Sequence, residues 1–130
     1  MEKYTNLAAR VLVGIIFLMA GLNKIGGYEG TQGYMESMGI SGSLLPLVIL
    51  LEVAAGLSII IGWKMRYSAY ALAAFTVVAA FVFHSNFADQ MQTIFFMKNV
   101  AIVGGLLAIA GLPVINSISL DHKFMQTSAS

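Results

Sequence analysis

The sequence contains no cysteine. That excludes disulfides, thiolate-held zinc, iron–sulfur clusters and cysteine nucleophiles. Charge is also scarce: seven Lys or Arg and six Asp or Glu make up 10% of 130 residues. An ordinary soluble domain carries roughly 25%. So few charges cannot coat a water-soluble body of this size, which argues against a globular cytoplasmic enzyme and against a disordered tail. The net charge of +1 shows no basic excess, so no nucleic acid partner is implied. No GxGxxG or Walker pattern marks a nucleotide site.

What the chain has in abundance is hydrocarbon, with 58% hydrophobic residues. Four apolar stretches, residues 7–23, 44–62, 67–84 and 93–115, approach or exceed the roughly 20 residues a helix needs to cross a bilayer core. Backbone polar groups find no water in lipid, so helices are the expected spanning structure. The reading is an all-α fold, an antiparallel bundle of four transmembrane helices. Residues 1–120 form one membrane domain and residues 121–130 a loose polar cytoplasmic tail. The segment 23–43 is a long glycine-bearing connection with room for one or two helical turns at the interface. Residues 62–66 make a tight turn, Asp89 is placed to cap the fourth helix, and Pro113 is expected to kink or end it.

Basic residues in short loops set orientation. Lys3, Lys64, Arg66 and Lys123 fall on one side with Arg10 near it, so both termini are expected in the cytoplasm. Lys3 ahead of an apolar run also fits a secretory signal, but Arg10 interrupts that run.

Ionisable groups forced into the apolar layer cost about 2.5–3.5 kcal/mol each and usually face the bundle interior. Glu52 is the only acid within a span, roughly 12 Å below the outer edge at a rise of about 1.5 Å per residue. One acid does not make a carboxylate metal site, and no metal is expected. His84 and His122 fall at opposite sides, which excludes a haem held by both. Lys98, roughly 6–8 Å deep, is the best-placed partner for Glu52; Lys24 can also reach it, and Arg10 approaches from the cytoplasmic side. Arg10, Gly14, Phe17, Gly21 and Lys24 share one helical stripe. Arg66, Tyr70, Ala73, Val77, Ala80 and His84 form a second stripe, and Phe95, Lys98, Ile102, Gly105 and Ile109 a third. A buried ion pair of this kind can simply lock helix register, and a histidine at the boundary can simply be hydrated. Arg10 and Arg66 also fit a plainer role as cytoplasmic anchors.

Several segments together resemble the DoxX family of small four-helix membrane proteins. They are Arg10…Gly14…Gly21-Leu22-Asn23-Lys24, Tyr34-Met35…Met38-Gly39, Glu52…Gly56-Leu57…Gly62…Arg66, Phe83-His84-Ser85-Asn86-Phe87 and Phe96-Met97-Lys98-Asn99…Gly104-Gly105. Gly30-Thr31-Gln32 and residues 45–52 are similar to the enterobacterial inner-membrane branch. The resemblance implies a multi-pass protein of the bacterial inner membrane in a family often labelled oxidoreductase, with relatives linked to quinone and catechol handling. It carries no defined catalytic mechanism. The leading expectation is a membrane subunit that binds a quinone-like or phenolic molecule in the outer half of the bundle. Glu52 and His84 would relay protons there, and Lys24, Lys98, Asn99 and Arg10 would serve as ligand-binding groups. No resident cofactor is fixed by these residues; quinone is the candidate. Expected partners are the lipid bilayer, a redox partner protein and a second copy of the chain. Two other readings stay open: a non-catalytic scaffold for a partner redox complex, and a small proton-coupled transporter.

Overall fold

A computed structural model describes residues 2–84, 86–112 and 118–129. Pro113 and the end of the expected fourth span at residue 115 lie outside the described residues, as does Ser85. Among the described residues six α-helices follow in order: α1 (Glu2–Gly26), α2 (Tyr28–Ser37), α3 (Leu45–Ile61), α4 (Met65–Phe83), α5 (Gln90–Ala110) and α6 (Leu120–Ala129). A single 3₁₀ turn, Gly42–Leu44, leads into α3. No strand occurs among the described residues. The spans ending in α1, α3, α4 and α5 are long and apolar enough to cross a bilayer.

Local chemistry sets the helix ends. Asp89 caps α5 by accepting from the Met91 N–H at 2.9 Å. Pro46 sits in the first turn of α3, where a missing N–H costs nothing. Gly62 ends α3 at φ 76°, and its N–H and that of Trp63 both donate to the Ser58 carbonyl, at 2.8 and 2.9 Å. Lys64 follows at φ 49°, left-handed without being glycine.

The helices pack as two close pairs. In the α1–α3 pair the backbones touch. A Cβ on Gly14 would lie 2.8 Å from the Gly56 carbonyl oxygen, and one on Gly56 would lie 2.9 Å from the Gly14 oxygen. Small residues permit such an approach, and with it dispersion contact, where no hydrophobic effect drives helices together. The buried residues of α1 are Asn6, Arg10, Gly14, Phe17 and Gly21; of the stripe expected from spacing only Lys24 is missing, and it is half-buried. The second pair is α4 with α5. Phe17, Ile59, Leu72, Leu106 and Ile109 join both pairs into one core on the α6 side of the bundle.

The other two stripes are displaced from their expected positions. In α4 the buried positions are Met65, Ala69, Leu72, Ala73, Thr76 and Ala80, while Tyr70 and Val77 are exposed. In α5 they are Leu106, Ile109 and Ala110, while Phe95 and Lys98 are exposed. Both helices are apolar all round, so periodicity does not separate the lipid face from the core face.

The segment from Asp121 on, expected to be loose, forms α6. The Asp121 carboxylate accepts from the Lys64 N–H at 2.6 Å and the Met65 N–H at 3.0 Å, completing the N-terminus of α4. Arg10 is not a cytoplasmic anchor. It is fully buried, and its guanidinium donates to the Ile118 carbonyl. Gly62 leaves the room that Arg10 and Ser119 occupy. Arg66 Nε donates to the Ala110 carbonyl at 3.1 Å, tying α4 to the end of α5.

Candidate functional site

The helix pairs part at the opposite end, beneath α2, and leave a cavity of about 500 Å³. That volume suits a small organic molecule. Most of the wall is apolar, including the rings of Phe17, Phe75 and Phe83. α2 closes the cavity at its end: Met35 is buried, and the Tyr34 ring stacks on Phe83 with centroids 5.4 Å apart.

Glu52 lies in this wall, 3% exposed, about 10 Å along α3 from its first residue. Its partner is Lys24, not Lys98. Lys24 Nζ lies 2.7 Å from Glu52 Oε1. The α1 stripe explains why. Gly21 brings α1 so close to α3 that a Cβ there would meet Val53 Cγ2 at 2.6 Å and Glu52 Cβ at 3.3 Å. Lys24 stands one turn further along the same face and only has to fold its stem back over that contact. The glycine that permits the contact and the lysine that makes the ion pair are thus one device.

His84 ends α4 at the cavity wall. Its Nδ1 lies 2.9 Å from Gln92 Oε1, and its ring packs 5.5 Å from that of Phe95. With the Gln92 carboxamide oxygen facing it, Nδ1 donates in this contact and Nε2 is left to accept. Asn99, half-buried on α5, also lines the cavity. Four of the expected site residues, Lys24, Glu52, His84 and Asn99, therefore share one cavity. Lys98 and Arg10 do not line it. Lys98 precedes Asn99 by one position, about 100° around α5, and that rotation turns it to the exposed face. Arg10 lies roughly 21 Å from Lys24 along α1.

Sequence reasoning missed Tyr34, Gln92 and Thr76. Tyr34 and Thr76 line the cavity, and Thr76 donates within its own helix to the Leu72 carbonyl at 2.7 Å. Gln92 carried a signal: it sits on the first turn of α5, where a short loop returns it to His84. Among the described residues no three His, Asp or Glu side chains are grouped to hold a metal ion.

The wall offers a compensated ion pair, an imidazole and a carboxamide in an otherwise apolar chamber. The pair sums to zero charge, so the chamber suits a neutral ring with hydroxyl or carbonyl oxygens better than an anion.

The DoxX family model matches residues 5–85. The chain is 53% identical over 110 residues to the inner membrane protein YqjF of Escherichia coli K12, covering 85% of each chain. It is 35% identical over 126 residues to the inner membrane protein YphA of the same strain, covering 90% of this chain and 88% of that one. It is 32% identical over 77 residues to a Bacillus subtilis protein named "Putative oxidoreductase CatD", covering 59% of this chain and 57% of that one. No solved structure matches the chain.

Proposed function

The chain belongs to the DoxX family as a multi-pass protein of the bacterial inner membrane, and on that premise we propose that it binds a quinone-like or phenolic molecule in the cavity beneath α2. The observation that carries this reading is the Lys24–Glu52 pair, 2.7 Å apart, set in the wall of an apolar chamber that is also lined by His84 and Asn99. A phenolic hydroxyl placed there can give its proton to Glu52 while the Lys24 ammonium holds the developing oxyanion. Asn99 offers both a donor and an acceptor to a ring oxygen, and His84 is the proton-exchanging group at the α2 end of the cavity. With both termini in the cytoplasm, the α2 end of the cavity faces the periplasm.

These four side chains are acids, bases and an amide. They supply binding and proton handling, and the electrons of a quinol–quinone exchange pass to a partner redox protein. The Bacillus subtilis relative carries oxidoreductase in its name, which supports a redox setting.

The direct test is binding of a benzoquinone to the purified chain in lipid nanodiscs, with Glu52→Gln and Asn99→Leu beside the wild type. The wild type is expected to bind, and each variant to weaken binding roughly tenfold, the worth of one good polar contact. No binding by the wild type, or equal binding by all three, removes the proposal. A scaffold role is the second reading. It draws on Lys98, a cation left exposed on the membrane-spanning α5, where an acidic group of a partner would meet it. Loss of co-purification with a flavin- or haem-bearing partner in Lys98→Leu would favour it.

A further inference from the structure

The cavity is closed toward α2 but open sideways. Val78 belongs to its wall and is 60% exposed, against 47% for Ile16 on α1, 46% for Tyr34 on α2 and 44% for Leu44 facing Val78. Which helices they separate follows from the packing around each. On α3, Val53, Gly56 and Ile60 meet α1. Val48 lies on the other flank, turned toward α4, and Leu44 precedes it on the 3₁₀ turn that leads into α3. On α4, Phe81 packs against Phe96, and His84 against Phe95, so that flank faces α5. Phe75, Val78 and Val82 lie on the opposite flank, turned toward α3. The two flanks face each other across a gap. α3 and α4 are held together at the Gly62 turn, where Ile59, Met65 and Ala69 are buried, and toward α2 both line the cavity.

The gap has no polar rim. Leu44, Val48, Val78 and Val82 are aliphatic, and they lie within spans that cross the hydrocarbon. Water has no reason to enter there, whereas an acyl or isoprenoid chain matches it. The polar cluster lies inward of this opening, with Glu52 two turns along α3 from Leu44.

We infer that the cavity is loaded laterally from the bilayer through the gap between α3 and α4, and that its ligand is a membrane-dissolved amphiphile whose polar ring lies by Glu52 and Lys24 while its apolar tail stays between Leu44 and Val78. This rests on the reading that a ring compound occupies the cavity, and it narrows the substrate class from phenols and quinones in general to those with a long tail. It also gives α2 a role. By stacking Tyr34 on Phe83 and burying Met35, α2 separates the polar cluster from the aqueous side while the lipid side stays open.

The test uses a decyl-substituted benzoquinone and its tail-less parent, with the chain in nanodiscs and protein-free discs as the blank. Val78→Trp fills the gap without touching the polar cluster. It should weaken binding of the decyl compound at least roughly tenfold and change the parent by less than about threefold. Val77→Trp, exposed but outside the wall, should change neither. Leu44→Trp, on the facing flank, repeats the test if Val78→Trp does not yield folded protein. Equal loss of both compounds in Val78→Trp, or no loss of either, overturns lateral loading between α3 and α4. So does a selective loss in Ile16→Trp instead, since Ile16 marks the cavity's edge toward α5. A wild type that binds only the tail-less parent overturns the tail and leaves the cavity reading intact. A wild type that binds neither compound removes the cavity reading, and the inference with it.

Discussion

Gly56→Ala tests whether backbone contact between α1 and α3 builds the site. The added Cβ would lie 2.9 Å from the Gly14 oxygen, 3.1 Å from the Leu18 nitrogen and 3.3 Å from Phe17 Cβ. Ordinary contact begins at 3.4 Å, so the worst approach is short by 3.4 − 2.9 = 0.5 Å. Two of the three neighbours are backbone and cannot rotate away, so the helices themselves must separate. Overpacking of this kind costs about 1–3 kcal/mol. Alanine also returns up to about 1 kcal/mol by its better helix propensity. Gly104→Ala on α5 isolates the two effects, because a Cβ there meets nothing within 4 Å. Both variants share the propensity gain, so their difference should approach the overpacking cost alone. Thermal unfolding in nanodiscs should show Gly56→Ala below the wild type and Gly104→Ala at or above it. Benzoquinone binding should fall in Gly56→Ala alone, since separating α1 from α3 draws Lys24 off Glu52. Equal stability of the two variants would refute the claim that this contact is rigid.

Three further outcomes follow from named contacts. Lys24→Met leaves the Glu52 carboxylate buried without its cation and should cost about 2 kcal/mol, below the usual 3–5 because the lysine side chain is 29% exposed. Adding Glu52→Met should recover most of that loss in a double-mutant cycle, and additive losses would refute the pairing. Asp121→Ala removes the acceptor of two N–H groups at the start of α4 and should cost about 1–2 kcal/mol, with faster hydrogen exchange at Lys64 and Met65. Arg10→Met deletes the guanidinium that donates to the Ile118 carbonyl and should loosen the start of α6, read as faster hydrogen exchange in its first turn than in the wild type.

Much of this architecture can be read from the chain, because lipid imposes simple rules. Span length, the Asp89 cap and the α1 stripe all follow from local spacing, and glycines at Gly14 and Gly21 mark a close approach wherever they recur on one face. Azimuth is not legible in helices that are apolar all round. Tyr70 and Val77 look like interior positions on a wheel but face outward, since lipid rewards them as well as a core does. The same blindness explains Lys98. Depth along the axis favoured it as the partner of Glu52, but one residue of rotation puts Asn99 into the cavity and Lys98 outside. α6 was hidden for another reason: its sequence is polar, and what fixes its first turn is a carboxylate bonded to backbone 56 and 57 positions away.

The kind of partner each buried polar group finds separates the two ends of the bundle. At the α6 end the charged side chains bond to main chain: Arg10 through one guanidinium nitrogen to the Ile118 carbonyl, Arg66 to that of Ala110, and Asp121 to the N–H groups of Lys64 and Met65. Such bonds join one element to the next, and none of these three side chains borders the cavity. At the α2 end Glu52 and Lys24 are satisfied by each other, His84 by another side chain, and all three border open space. Side-chain pairs can be opened and re-formed around a guest at the cost of rotamers, whereas main-chain partners can be displaced only by moving a helix. The same inventory of charges in an apolar solvent thus serves as a clamp at one end and as a receptive surface at the other. The glycine contact between α1 and α3 runs from the first toward the second, so the clamp fixes where Lys24 meets Glu52.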